Sequence, residues 1–314
     1  MKTKEELHKK WADFGLLDGL DPSLMLKSVE PNPEKPLLNV IIFSKDRAMQ
    51  LDLLLKSILL NFNVEDYKLN ILYKASNDEY NRGYNMIRDL YPQFSYKREE
   101  NFKSDLMSLF NDSEYTVFLT DDDIIYQSFK LNKDELHNIF MLTDAMCFSL
   151  RLGLNTKHCY TMQKLNDLKN FKRHDFFHDT DLIEPVISWK VGDGTNDYAY
   201  PMSVDGHIFK TEYIKNLCEV LEYTNPNLFE AMLSNFGRPE MIISSYNQNK
   251  LVNSPINRVQ NVFHNLSGMN FAYSAEDLNE MYLDDVVFNF EKMKFNEITG
   301  CHQEIQPFFS VYGK

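Results

Sequence analysis

The sequence predicts an α/β fold with a mostly parallel central sheet flanked by helices. Three observations carry this expectation. Short apolar runs rich in β-branched residues alternate with amphipathic helical segments. The runs are nearly continuously apolar, as suits strands covered on both faces. Polar clusters, Ser44 to Arg47 and Asp121 to Asp123, stand where two of the runs end, and doubly wound sheets bind their ligands at such ends.

The elements follow in order. Residues 3–18 read as an amphipathic helix, with Thr3 and Glu6 as a capping box and Leu7, Trp11 and Phe14 at helical spacing. Pro31, Pro33 and Pro36 then interrupt regular structure, so residues 1–36 form a helical extension and linker. Leu37 to Phe43 is the first strand. A helix follows, with Leu51, Leu54, Leu55, Ile58, Leu59 and Phe62 on one face. Asn70 to Tyr73 is the second strand, Glu79 to Leu90 a helix stopped by Pro92, and Asn101 to Phe110 another helix. Tyr115 to Leu119 is a buried strand that runs into Thr120-Asp121-Asp122-Asp123. Beyond it, Ala145 to Leu150, Val186 to Lys190 and Met202 to Phe209 read as strands. Thr211 to Leu221 and Leu228 to Leu233 read as helices, and the tail from Asn247 shows little periodicity. The expected organisation is an extension (1–36) and one domain (37–314), split into 37–125, 126–270 and a tail, 271–314.

Composition excludes several functions. The 314 residues hold 33 basic and 46 acidic side chains, a formal net charge of −13. Nucleic acid is a poor partner for such a chain, because phosphate affinity comes from Lys and Arg. Only 11 residues are glycine, against the usual ~7%, and neither GxGxxG nor GxxxxGK[ST] occurs. Cys147, Cys159, Cys218 and Cys301 form no CxxC pair and suit reduced cytosolic thiols. No run approaches ~18 apolar residues, and Asp52 and Lys56 interrupt Leu51 to Leu60. These features lead to the expectation of a soluble, cytoplasmic chain with no integral membrane segment.

Asp121, Asp122 and Asp123 are the most informative residues. Three adjacent carboxylates after a buried strand repel one another unless water or a cation neutralises them. Mg²⁺ and Mn²⁺ prefer carboxylate oxygens and keep positions open for substrate phosphates. A solvated acidic turn is the alternative.

The combination resembles a nucleotide-sugar-dependent glycosyltransferase of the GT-A (Rossmann-like) fold, in the style of the large family 2. The residues that carry it are the first strand ending in Ser44-Lys45-Asp46-Arg47, the segment Glu100 to Asp105 before a helix, and the strand ending in Asp121-Asp122-Asp123. Residues 37–125 fit well, and 186–265 only loosely. The resemblance implies a D-x-D motif in which Asp121 holds the ribose and Asp123 the metal. It implies nucleotide contacts from Ser44, Asp46 and Arg47, from Ala75, Ser76 and Asn77, and from Asn101 and Lys103, with Asp122 in the same site. Family members often have an acidic residue where Lys74 and Ser76 stand, which leaves the base undecided.

The resemblance also places a general base at the start of a second-half helix. Glu230 fits, in the first turn of a helix opened by Asn225-Pro226. Asp205, beside Gly206, competes, and Asp193 and Asp197 come third. A C-terminal histidine supplies a further metal ligand in some members. His264 fits by position, with His207 as the weaker choice, and Arg258 is placed to meet the diphosphate. Trp189, Tyr198 and Tyr200 offer aromatic faces, and Gly192 to Pro201 a candidate lid.

The expected activity is transfer of a sugar from a nucleoside-diphosphate sugar to a glycan or other hydroxyl acceptor, with Mn²⁺ or Mg²⁺. It inverts the anomeric centre if the base assignment holds, and the family suggests polysaccharide or surface-glycan synthesis. Two alternatives stay open: a sugar nucleotidyltransferase, and a non-catalytic nucleotide-sugar binding or scaffold protein.

Overall fold

A computed structural model describes residues 34–175, 185–260 and 266–312. The expected helix at 3–18 and His264 lie outside the described residues. The first half alternates as the sequence predicts. Strand β1 (Leu38–Lys45) leads to α1 (Ala48–Asn61), a short β2 (Phe62–Val64), β3 (Tyr67–Lys74) and α2 (Asp78–Leu90). Next come β4 (Ser95–Arg98), α3 (Phe102–Leu109), β5 (Tyr115–Thr120) and β6 (Asp123–Ile125). Then follow β7 (Phe129–Leu131), α4 (Lys133–Thr143), β8 (Cys147–Ser149), the hairpin β9 (His158–Cys159) and β10 (Lys164–Leu165), β11 (Lys172–His174) and β12 (Val186–Lys190). The chain continues through β13 (His207–Lys210), α5 (Thr211–Val220), α6 (Pro226–Ser234), β14 (Ile242–Tyr246) and β15 (Leu251–Asn253). It closes with α7 (Ala275–Leu283), β16 (Val286–Phe288) and β17 (Phe309–Val311).

Nine strands form one mixed sheet in the order β11-β12-β14-β8-β13-β5-β1-β3-β4. The first-half strands β5, β1, β3 and β4 are mutually parallel. Strand β13 enters antiparallel between β5 and β8, and β14 is parallel to β8. The continuous apolar runs follow from burial on both faces. In β1, Val40 and Ile42 join one core with Leu51, Leu54, Leu55 and Ile58 of α1. Ile41 and Phe43 point into the second core with Phe102 and Phe118. Each such side chain contributes about 1.5–3 kcal/mol by leaving water.

Two polar residues that break the apolar run of α1 are accommodated by pairing. Asp52 is fully buried and accepts from Lys56 Nζ at 2.6 Å and from Tyr91 OH at 2.7 Å. Helix starts are capped by Asn77, Asn101, Asn132, Asn225 and Ser274, each accepting a backbone N–H of the first turn.

Two readings need correction. The segment 202–209 is not one strand: β13 begins at His207, and Gly206 turns the chain at φ +72° with Asp205 just before it. Among the described residues, the tail beyond Asn247 carries β15, α7, β16 and β17. Strands of three residues are too short to show a period, and α7 is announced only by its capping box, Ser274 and Asp277.

Close packing of α2 against α1 and α7 depends on Gly83. A Cβ there would lie 2.9 Å from Ala48 Cβ and 2.6 Å from Asn279 Oδ1. Gly83→Ala should therefore destabilise the fold by about 1–3 kcal/mol despite the better helix propensity of alanine, seen as a lower urea midpoint with an unchanged m-value.

Candidate active site at the carboxyl ends of the parallel strands

Strand β1 is in register with both neighbours, so Lys45 lies beside Lys74 of β3 and Phe43 beside Thr120 of β5. The strand ends thus share one edge, where a cleft of about 420 Å³ opens. That size suits a small-molecule ligand. Strand ends supply Ser44, Lys45, Arg47, Thr120, Asp121 and Asp122 to its lining. Phe43, Leu72 and Phe102 add apolar surface, with Lys74 and Glu99 beside them in a 2.7 Å ion pair. The second half contributes Asn225, Asn227 and Glu230 of the α6 region, Asp205, Asn253, Arg258, Ser267 and His302.

The three aspartates have three environments. Asp121 accepts from the Lys45 backbone N–H at 3.0 Å and from Arg47 Nη1 at 2.9 Å. Asp122 accepts from the same Nη1 at 2.9 Å, and from Thr120 Oγ1 and Asn253 Nδ2 at 2.9 and 2.8 Å. Burial alone would lower the Arg47 pKa, but the charges of Asp122 and Asp121 raise it, so Arg47 is a fixed cation. Burial lifts Asp121 to about 6, with the neighbouring Asp122 adding to the rise and Arg47 opposing it. Asp123 is different. It is fully buried, accepts from Thr120 N–H at 2.9 Å and Asn253 Nδ2 at 3.1 Å, and does not line the cleft. Burial, then the charges of Asp205 and Asp122, push its pKa up. Strand β6 pairs antiparallel with β15, which sets Asn253 opposite Asp123. The carboxylate expected to hold metal is thus turned into the protein, while Asp121 and Asp122 line the cleft.

Several expected nucleotide contacts serve the scaffold. Asp46, at φ +56°, accepts from Ser76 N–H and Oγ at 2.7 and 2.6 Å and clamps the β1 turn to the end of β3. Asn77 caps α2 and Asn101 caps α3. Lys103 pairs with Glu222 at 2.8 Å. None of Asp46, Ser76, Asn77, Asn101 and Lys103 lines the cleft. Ser44, Arg47 and Arg258 do, and Ser44 Oγ lies 2.7 Å from the Tyr84 hydroxyl.

The two candidate bases also separate. Glu230 stands at the fifth position of α6, beyond the first turn, and lines the cleft. Its Oε1 accepts from Ser203 Oγ at 2.8 Å and Val204 N–H at 3.2 Å. Burial, with Asp205 nearby, raises its pKa. Asp205 accepts from Arg151 Nη1 at 3.1 Å and Thr120 Oγ1 at 3.2 Å, and His302 Nε2 lies 3.3 Å away. Burial would raise its pKa, but the His302 hydrogen bond and the Arg151 charge hold it down at about 2.

His207, the weaker histidine, is buried outside the cleft with Nδ1 at 3.1 Å from Pro201 O, and burial lowers its pKa to about 3. Trp189 donates to Tyr198 O at 2.9 Å and meets the Tyr198 ring edge-on in the core. Tyr200 and the Gly192 to Pro201 segment do not line the cleft either, and Gly192 abuts Pro239. Asp193 and Asp197 accept amide hydrogen bonds from Asn170 and Asn166 and stand outside it. Sequence reasoning missed Thr120, Arg151, Ser203, Asn253 and His302. All are polar residues in turns or at strand ends, and only contacts between distant segments reveal them.

No family model matches the chain. By sequence it is similar to the bifunctional glycosyltransferase pgtA of Dictyostelium discoideum, 26% identical over 294 residues covering 83% of this chain and 37% of that protein. The chain therefore spans well under half of the curated relative. Among solved structures it resembles S. aureus TarS 1-349 in complex with UDP, at 14% identity, covering 68% of this chain and 59% of that one, TM-score 0.42. It also resembles the mannosyltransferase PcManGT of Pyrobaculum calidifontis in complex with GDP-Man and Mn²⁺, at 17% identity, 46% and 45% coverage, TM-score 0.27. The curated relative is a glycosyltransferase, the class that the sequence motifs resemble. No helix among the described residues is long and apolar enough to cross a membrane.

Two predictions follow from this geometry. Asp123→Ala strips the acceptor from the Thr120 N–H, while Asn253 Nδ2 keeps Asp122, and should cost about 1–3 kcal/mol for the one donor left unpaired, measured by urea denaturation. Asp205 has a folded pKa of about 2, below the ~3.9 of an unfolded chain. Its ion pair therefore stabilises the fold fully above ~pH 4 and is lost as pH falls towards 2. Asp205→Asn should lack that part of the acid loss in stability.

Proposed function

We propose that the chain transfers a sugar from a nucleoside-diphosphate sugar to an acceptor hydroxyl. One observation carries this reading: the fixed cation Arg47 and the carboxylates paired with it at the strand ends line the same cleft as a carboxylate of raised pKa from α6. Lys45, Arg47 and Arg258 suit a diphosphate. Phe43, Leu72 and Phe102 suit the flat face of a base. The similarity to a glycosyltransferase supports the same class.

Asp122 and Asp121 offer hard carboxylate oxygens to the cleft, a donor set that fits Mg²⁺ or Mn²⁺. Asp122, with its second-half neighbour Asn253, is the residue we assign to the metal in place of Asp123. Such an ion, when bound, would offset the charge of the diphosphate leaving group. Glu230 is the general base. Its Oε1 is held by Ser203 and Val204, and its carboxylate takes the acceptor proton as the acceptor oxygen bonds to the anomeric carbon. The anomeric bond to the diphosphate breaks, and the diphosphate leaves with the electron pair, inverting the centre. Asp205 is unsuited to this task because a carboxylate held near a pKa of 2 is a weak base.

The test is a thermal-shift screen of UDP-glucose, UDP-N-acetylglucosamine and GDP-mannose, with Mn²⁺ or chelator. One donor should raise the melting temperature only with Mn²⁺, and Asp122→Ala should abolish that shift. A shift that is unchanged in chelator would overturn the metal assignment. Release of pyrophosphate from a nucleoside triphosphate would instead favour the nucleotidyltransferase alternative.

Glu230→Gln should retain the donor shift and lose about 10²–10⁴-fold in turnover. In the parent protein the acid limb of the rate profile should lie above the ordinary ~4.3 of glutamate, because the base must be ionised and burial raises its pKa. A flat profile from pH 4 to 7 would contradict the assignment.

A further inference from the structure

Arg151 lies behind the cleft rather than in it, 4% exposed, in the turn after β8. Its guanidinium reaches several segments at once. Nη1 donates to Ser203 Oγ and to Asp205 Oδ2. Nη2 donates to Cys301 Sγ at 2.9 Å and faces His302 Nδ1 at 3.2 Å. Asp197, Cys301 and His302 bring ligand atoms within 4.8 Å of one another, the spacing of a metal site. The guanidinium stands against two of the three, so the cluster is a cradle for arginine and not for a metal ion.

Three of these contacts lead into the cleft. Ser203 accepts from Arg151 and passes a hydrogen bond to Glu230 Oε1 at 2.8 Å. Asp205 and His302 are themselves cleft residues. Both hydrogen bonds on Glu230 fall on Oε1, which leaves Oε2 for the acceptor. The planar fork of arginine can address Ser203 and Asp205 with one nitrogen while the other meets Cys301 and His302, and an ammonium cannot reproduce this.

We propose that Arg151 is a positioning residue for the transfer step: through Ser203 it fixes one oxygen of Glu230, and by pairing with Asp205 it keeps that second carboxylate from taking the acceptor proton. This rests on the assignment of Glu230 as base. The charged and titratable groups that act on Glu230 are Asp205, Arg151 and the Tyr200 hydroxyl. Asp205 opposes its ionisation and Arg151 favours it.

The experiment uses the full chain with Mn²⁺ and whichever of UDP-glucose, UDP-N-acetylglucosamine and GDP-mannose gives the largest thermal shift. Release of nucleoside diphosphate is followed from pH 4 to 9 in Arg151→Lys, Arg151→Met and Ser203→Ala. Ser203→Ala leaves the buried charge pair intact, so the proposal stays testable if Arg151→Met fails to fold. Turnover should fall about 10–10²-fold, as expected for a misplaced catalytic group. Donor KM should stay within about threefold, and the acid limb in Arg151→Met should move to higher pH because the favourable charge is gone. A folded Ser203→Ala and a folded Arg151→Lys with parental turnover and an unmoved acid limb would overturn the proposal. Full activity in Glu230→Gln would instead remove the base assignment itself, so the two failures are distinguishable.

Discussion

Three consecutive carboxylates at the end of a buried strand are tolerable only if something answers their charge. Arg47 does so from the turn after β1. One nitrogen bridges Asp121 and Asp122 at 2.9 Å each, and the other donates to Asn257 O at 2.6 Å. Asn253 and Thr120 complete the shell around Asp122 and Asp123. Removing a guanidinium from such a cluster would leave buried charge unpaired, which is among the costliest changes a protein can suffer. The same contacts tie β1, β5 and the 253–257 segment together. The cleft therefore owes both its shape and its potential to one electrostatic knot.

That knot divides the triplet into roles. Asp123 faces inward and secures β6 to β15. Asp121 and Asp122 face the cleft. Second-half residues form a parallel arrangement around Arg151, with Asp205 paired to it and Ser203 bridging it to Glu230. Thr120 Oγ1 touches both systems, donating to Asp122 and to Asp205. The Asp122 and Asp205 carboxylates are thus linked through one threonine at the tip of β5.

Much of the first half was legible because its signals are local. An unbroken apolar run buried on both faces reads as a parallel strand, and an apolar stripe at 3.6-residue spacing reads as α1. The second half was harder. Helix α4 carries Leu136, Ile139 and Phe140 at helical spacing behind a full capping box, Asn132 and Glu135. That signal was available and went unread. Strands β6, β7 and β15 hold three residues each, too few for any period to emerge. Asn77 and Asn101, which the resemblance places at a nucleotide, cap helices, a local task that their spacing also allows.

The sequence by itself determined the α/β class, and it pointed to the sheet edge where the cleft opens and to Asp121, Asp122, Arg47 and Glu230, which line it. These depend on neighbours within a few residues, where period and strand-end position suffice. Only the tertiary structure decided which aspartates line the cleft, that burial and pairing set Glu230 and Asp205 apart, and that Asn253 and His302 line the cleft with Arg151 behind it. Those answers turn on side chains from segments about 50 to 150 residues apart, and on how burial sets each carboxylate's ionisation. Spacing along the chain carries no record of either.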